Sequence, residues 1–126
     1  MNRFRSLDAS SPTEAVPALG ADAQPLAGGT DLLPLIKDGI VAPATLINLK
    51  HADELRFLHE DADGLHIGAL TTLDELDRST LVRSRYTALA QAAGLAASPQ
   101  LRNMATIGGN LLQQGRCWDY RGDFHC

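Results

Sequence analysis

Aromatic side chains are scarce in this chain. Six Phe, Trp and Tyr residues make up 5% of 126 positions, so no aromatic stripe is available to stack on nucleic-acid bases. Positive charge is short as well. Fifteen acidic against eleven basic residues leave a net charge of −4, which gives no electrostatic basis for binding nucleic acid or an anionic membrane. No apolar run approaches the roughly 20 residues that cross a bilayer. The opening stretch MNRFRSLDASSPTEA carries two arginines but no apolar segment of the secretory kind. Cysteine is nearly missing. Cys117 and Cys126 both fall in the last ten residues, whereas a disulfide framework would spread its cysteines through the fold. Their clustering suggests a local site.

What remains is the length of one domain with an ordinary 44% hydrophobic content. Residues 2–7 read as a first strand. Ser11-Pro12 then starts a helix, a serine cap followed by proline at the first helical position, and Gly20 ends it. Residues 24–27 form a short strand that runs into Gly28-Gly29. Thr30 or Asp31 caps a helix over 32–37, closed by Gly39. Residues 45–49, TLINL, make another strand, and 51–55 a helical turn. Asp61-Ala62-Asp63-Gly64 sits between two apolar stretches and signals a hairpin. Thr71 or Thr72 caps LDEL, an Ala/Leu-rich helix covers 84–96, and Ser98-Pro99 breaks it. This order, β-α-β-α-β and then a hairpin and helices, predicts an α/β or α+β fold.

Two glycine pairs stand out, in AGGTDL at 27–32 and ATIGGNL at 105–111. Glycine lets backbone approach a ligand closely and adopt positive φ. A strand–Gly-Gly–helix turn exposes amides at a helix start, where an anion is favoured. The first pair reads equally well as a plain tight turn. It is not a P-loop, because no lysine followed by Ser or Thr comes after the glycines. Nor does either pair complete the dinucleotide G-x-G-x-x-G pattern. Two separate loops on one diphosphate remain a geometry that both pairs could serve.

Four stretches in order, PLAGGTDLLPLIK, TLINLKHADEL, GLHIGALTTLDEL and SPQLRNMATIGGNLL, resemble the FAD-binding subunit of the molybdenum hydroxylases, the xanthine dehydrogenase and aldehyde oxidoreductase type. The resemblance covers roughly residues 1–116. It implies an α+β fold of the vanillyl-alcohol-oxidase type. A small α/β subdomain over 1–55 would carry the first FAD pyrophosphate loop, and 56–116 would begin a second FAD-binding subdomain. It further implies that Leu26, Ala27, Gly28, Gly29, Thr30, Asp31, Leu32 and Leu33 hold the FAD pyrophosphate from one side. Thr106, Gly108, Gly109 and Asn110 would hold it from the other. Gln100, Arg102 and Asn103 would position the second loop. No catalytic base or nucleophile is expected, since the flavin carries the chemistry. No histidine lies at either loop, so the flavin is expected to bind without a covalent link.

The resemblance extends to the tail, residues 117–126. RCWDY looks like the opening of an iron–sulfur loop found in some relatives, which implies Cys117 and Cys126 as the first two ligands of a [4Fe-4S] cluster in a longer protein. Such a cluster needs four thiolates as a rule. An ordinary thiol pair and a disulfide stay open as alternatives, and a zinc site from Cys117, His125 and Cys126 lacks a fourth ligand. Family members continue well past residue 126, so the chain is expected to be an N-terminal part. The function implied is electron transfer between iron–sulfur centres and an external acceptor. The partners would be a molybdenum-cofactor subunit and a [2Fe-2S] subunit, with no nucleic acid and no membrane. The location would be cytoplasmic, or periplasmic by co-export with a partner. The rival readings are a stand-alone nucleotide-binding module and a truncated structural remnant.

Overall fold

A computed structural model of the chain describes residues 3–122. Three short strands, β1 (Arg5–Asp8), β2 (Ala23–Leu26) and β3 (Thr45–Asn48), form a parallel sheet in the order β1-β3-β2. Helix α1 (Pro12–Ala18) links β1 to β2, and α2 (Leu32–Lys37) links β2 to β3. Parallel strands need such crossovers. Arg5 and Ala23 both face Thr45, and Asp8 and Leu26 both face Asn48. Leu46 and Ile47 point to opposite faces of the central strand, and both are buried, so β3 is covered on each side. That is why two apolar residues, Leu46 and Ile47, stand side by side in β3 without alternation.

The helix starts follow their caps. Ser11 Oγ accepts from the Glu14 amide, with Pro12 in the first turn. The helix ends at Ala18, before Gly20. Gly39 closes α2 at φ +75°, the left-handed conformation that glycine adopts without cost.

Past a 3-10 turn at Asp53–Leu55, β4 (Leu58–Asp61) and β5 (Gly64–Ile67) pair antiparallel. The Asp61-Ala62-Asp63-Gly64 signal thus closes a two-residue loop with Gly64 at φ +128°. Thr72 begins α3 (Leu73–Arg78) through a capping box with Glu75.

The expected long helix over 84–96 is instead two helices, α4 (Thr80–Arg85) and α5 (Thr87–Leu95). The first starts earlier because Ser79 Oγ caps the Val82 amide. The pair breaks at Tyr86, whose φ −128° and ψ +49° are not helical. Its hydroxyl donates to Glu60 on β4, and Arg85 also pairs with Glu60, so the break turns two side chains onto the hairpin. Helices α6 (Pro99–Arg102) and α7 (Ile107–Leu112) follow, capped by Ser98 and Thr106, and α8 (Trp118–Arg121) comes last.

Apolar packing falls into two clusters. Ala9, Ala15 and Ile47 centre one under the parallel sheet. Leu73, Leu76, Val82, Ala90 and Ala93 centre the other, between α3, α4 and α5.

Candidate functional site

Between these two clusters lies a cavity of about 750 Å3, within the usual size of a ligand pocket. Both glycine loops line it. From the first come Leu26, Ala27, Gly28, Gly29, Thr30, Asp31 and Leu32, and from the second Thr106, Gly108, Gly109 and Asn110. Leu33 is not on its wall. It packs behind the loop, where a Cβ added to Gly29 would come within 2.8 Å of its Cδ1.

The first loop is bare in a specific sense. The backbone N–H groups of residues 27–32 donate to nothing else among the described residues. Six adjacent amides without acceptors are a poor resting state for backbone unless water or an anion completes them. Gly29 turns the chain at φ +74°. Gly28 serves a different need. A Cβ there would lie 1.7 Å from the Met104 carbonyl oxygen, so the two loops touch through bare backbone. Asp31 is the first residue of the α2 turn, yet its side chain makes no capping bond.

The second loop is built differently. Thr106 is buried, and its Oγ1 accepts from the Gly109 amide to cap α7. Ile107 donates to the Thr71 carbonyl, Gly108 to the Ala69 carbonyl and Asn110 to the Thr106 carbonyl. Leu73 donates to the Ala105 carbonyl. All four amides of residues 107–110 are therefore spent, those of Ile107 and Gly108 on the segment before α3 and those of Gly109 and Asn110 on Thr106 within the loop itself. Gly108 fits because a Cβ there would lie 2.9 Å from the Ala69 carbonyl oxygen. What this loop offers the cavity is the hydroxyl hydrogen of Thr106, the Asn110 side chain and the open Cα of Gly109. Only Thr106 Oγ1, at 3.2 Å, would lie near an added Cβ at Gly109.

Arg102, expected to position the second loop, braces the 96–97 segment. Its Nη1 donates to the carbonyls of Ala96 and Ala97, each at 3.1 Å, while its buried Nε has no partner among the described residues. Ala97 stands at φ +48°, rare for a residue with a Cβ, and both alanines line the cavity. The sequence reading missed this wall and the tail's arginines. Arg116 lines the cavity, and its Nη2 donates to the Thr30 carbonyl at 2.8 Å. Arg121 reaches Asp31. RCWDYR drew attention for its cysteine, and the two arginines that flank it escaped notice. Cys117 is exposed at the start of α8, and Cys126 lies outside the described residues, as does His125. Among the described residues, no helix is long and apolar enough to cross a membrane.

The cavity has the donor set for an elongated phosphate-bearing ligand: free amides on one wall, hydroxyl and carboxamide groups on the other, and apolar side chains between. The family described as FAD binding domain in molybdopterin dehydrogenase matches residues 2–121. The chain belongs to that family. It is 44% identical over 93 residues to the carbon monoxide dehydrogenase medium chain of Hydrogenophaga pseudoflava, an alignment covering 74% of this chain and 32% of the relative. It is 41% identical over 121 residues to the aldehyde oxidoreductase FAD-binding subunit of Escherichia coli (strain K12), covering 93% of this chain and 37% of the relative. A solved structure of carbon monoxide dehydrogenase from Hydrogenophaga pseudoflava, lacking the Mo-pyranopterin moiety of its cofactor, superposes with a TM-score of 0.83 at 42% identity, over 87% of this chain and 39% of that one. The expected family, the α+β flavin-domain fold and FAD as cofactor are thereby borne out. The chain spans about a third of the length of these relatives.

Proposed function

We propose that this chain is the pyrophosphate-holding part of a flavoprotein subunit, and that the larger protein passes electrons from iron–sulfur centres through FAD to an external acceptor. The observation that carries the reading is the convergence of both glycine loops on one cavity, with six unspent amides on one side. In this reading the amides of Ala27 to Leu32 bind the diphosphate oxygens. The Thr106 hydroxyl and the Asn110 carboxamide approach from the opposite wall, and Gly109 leaves them room. Leu26 closes the apolar floor, Gly108 keeps the second loop against Ala69, and Leu33 supports Gly29 from behind. FAD supplies the redox chemistry when bound. These residues bind it, orient it and exclude water.

The division of labour suggests a unit over residues 1–55, a second over 56–116 and a tail over 117–126. The two separate apolar clusters support the first boundary. The relatives are named as chains or subunits of larger oxidoreductases, which supports a hetero-oligomer; its other members, in this reading, are a molybdenum-cofactor subunit and a [2Fe-2S] subunit. Aldehydes and purine-like compounds are the substrates we favour for such a complex.

The test is flavin retained after desalting, measured for the chain and for Gly29→Val and Gly109→Val. At Gly29 the substitution meets a positive φ that a β-branched residue resists. At Gly109 it fills space without disturbing backbone. Loss of flavin in both folded variants supports one shared diphosphate site. Retention by both would defeat it, and tight binding of ADP with no preference for FAD would favour a plain nucleotide-binding module.

A further inference from the structure

The tail is fastened to the first glycine loop by two arginines. Arg121 Nη2 donates to Asp31 Oδ1 at 2.7 Å and to the Gln114 carbonyl at 2.8 Å, while its Nε donates to the Gly115 carbonyl at 2.8 Å. Its side chain is only 11% exposed and that of Asp31 19%. One guanidinium thus closes the 114–121 turn on itself and ties it to the α2 start. Arg116 adds a bond to the Thr30 carbonyl, and its Nε lies 4.0 Å from Asp31 Oδ1. Asp31 and Arg116 are the only charged residues on the cavity wall among the described residues.

This arrangement resolves a conflict. A carboxylate beside amides that receive an anionic diphosphate would repel it and could fold back to take those amides for itself. Asp31 makes no capping bond to those amides; its Oδ1 accepts from Arg121, which turns the carboxylate toward the tail and offsets its charge. With Arg116 counted, one negative charge at the loop meets two positive ones, and the local balance favours an anion.

We propose that Arg121 is a positioning residue for the flavin site. It holds the Asp31 carboxylate away from the loop amides, so order in residues 114–121 and diphosphate binding are coupled. The proposal rests on the flavin reading above for its ligand, but the clamp itself exists without ligand.

Two measurements on the 126-residue chain test it. In the first, without flavin, amide hydrogen exchange is followed in residues 114–121 and 27–32. Arg121→Ala should speed exchange in both segments, and Arg121→Lys less so. In the second, FAD affinity is read by fluorescence titration. Arg121→Ala should weaken it about tenfold, since it strands a part-buried carboxylate beside the ligand. Asp31→Asn in the Arg121→Ala background should recover most of that loss, a rescue that a merely structural role would not give. Unchanged exchange in Arg121→Ala overturns the clamp. Faster exchange with FAD affinity within twofold of the parent overturns the coupling. A parent chain that binds no FAD defeats the flavin reading, and the exchange measurement still decides the clamp.

Discussion

At the residue scale, the glycines do different work, and substitutions separate it. Gly28 is a contact, Gly29 a conformation and Gly109 a clearance. Gly28→Ala puts a methyl group 1.7 Å from the Met104 carbonyl oxygen, a distance no side-chain movement relieves. The loops must part, so this variant should lose stability as well as flavin, by about 1–3 kcal/mol as overpacked sites do. Thermal unfolding without ligand checks it, and an unchanged midpoint would mean the loops are not in contact. Gly109→Ala, whose Cβ would meet only the Thr106 hydroxyl at 3.2 Å, should cost no more than about 0.5 kcal/mol and lower the midpoint far less. Sequence alone showed both glycine pairs, and the family resemblance implied one diphosphate between them. It could not tell these roles apart, because the Met104 carbonyl and the Leu33 side chain reach the glycines only after folding.

At the element scale, local chemistry accounts for most starts and stops. Ser11-Pro12, Thr72 with Glu75, Ser98-Pro99 and Gly39 each mark a boundary with its physical cause in the same few residues. The long Ala/Leu helix misled because its interruption has no local signature. Tyr86 leaves helical geometry to reach Glu60, 26 residues away. The capping box offers a plain measurement. Thr72→Ala should destabilise the fold by about 1 kcal/mol, read from denaturant midpoints, whereas an effect near zero would mean α3 is held by packing alone.

The hairpin gives a pH test. Asp61 is held below its usual 3.8, first by the Asp63 amide and then by the His66 side chain. A carboxyl with a lowered folded pKa adds stability that is fully present above 3.8. That stability is lost as pH falls through the lower folded value. Asp61→Asn should therefore flatten part of the acid limb of the stability–pH curve. An unaltered acid limb would show that the Asp63 bond does not persist in solution.

At the scale of the whole molecule, the order of elements was legible because each crossover and hairpin carried its own signal. The tail was not, since arginine at 116 and 121 has no periodic or turn signature and finds Thr30 and Asp31 across some 90 positions. The same distance decides how the chain should respond to its ligand. Apolar clusters on either side of the cavity are separate, and close backbone approach of Gly28 to Met104 spans the cavity between them. Leu76, fully buried in the second cluster, gives a local lesion. Leu76→Ala should cost about 2–5 kcal/mol and speed amide exchange in α3, α4 and α5. With two cooperative units, Leu46 and Ile47 in β3 should keep their parent exchange rates in that variant. If both loops hold FAD, as proposed above, added FAD should then slow exchange on both sides together, because binding to the joined state alone stabilises both. Equal acceleration of β3 and α3 in ligand-free Leu76→Ala would mean one cooperative unit, and the boundary at residue 55 would lose its physical basis.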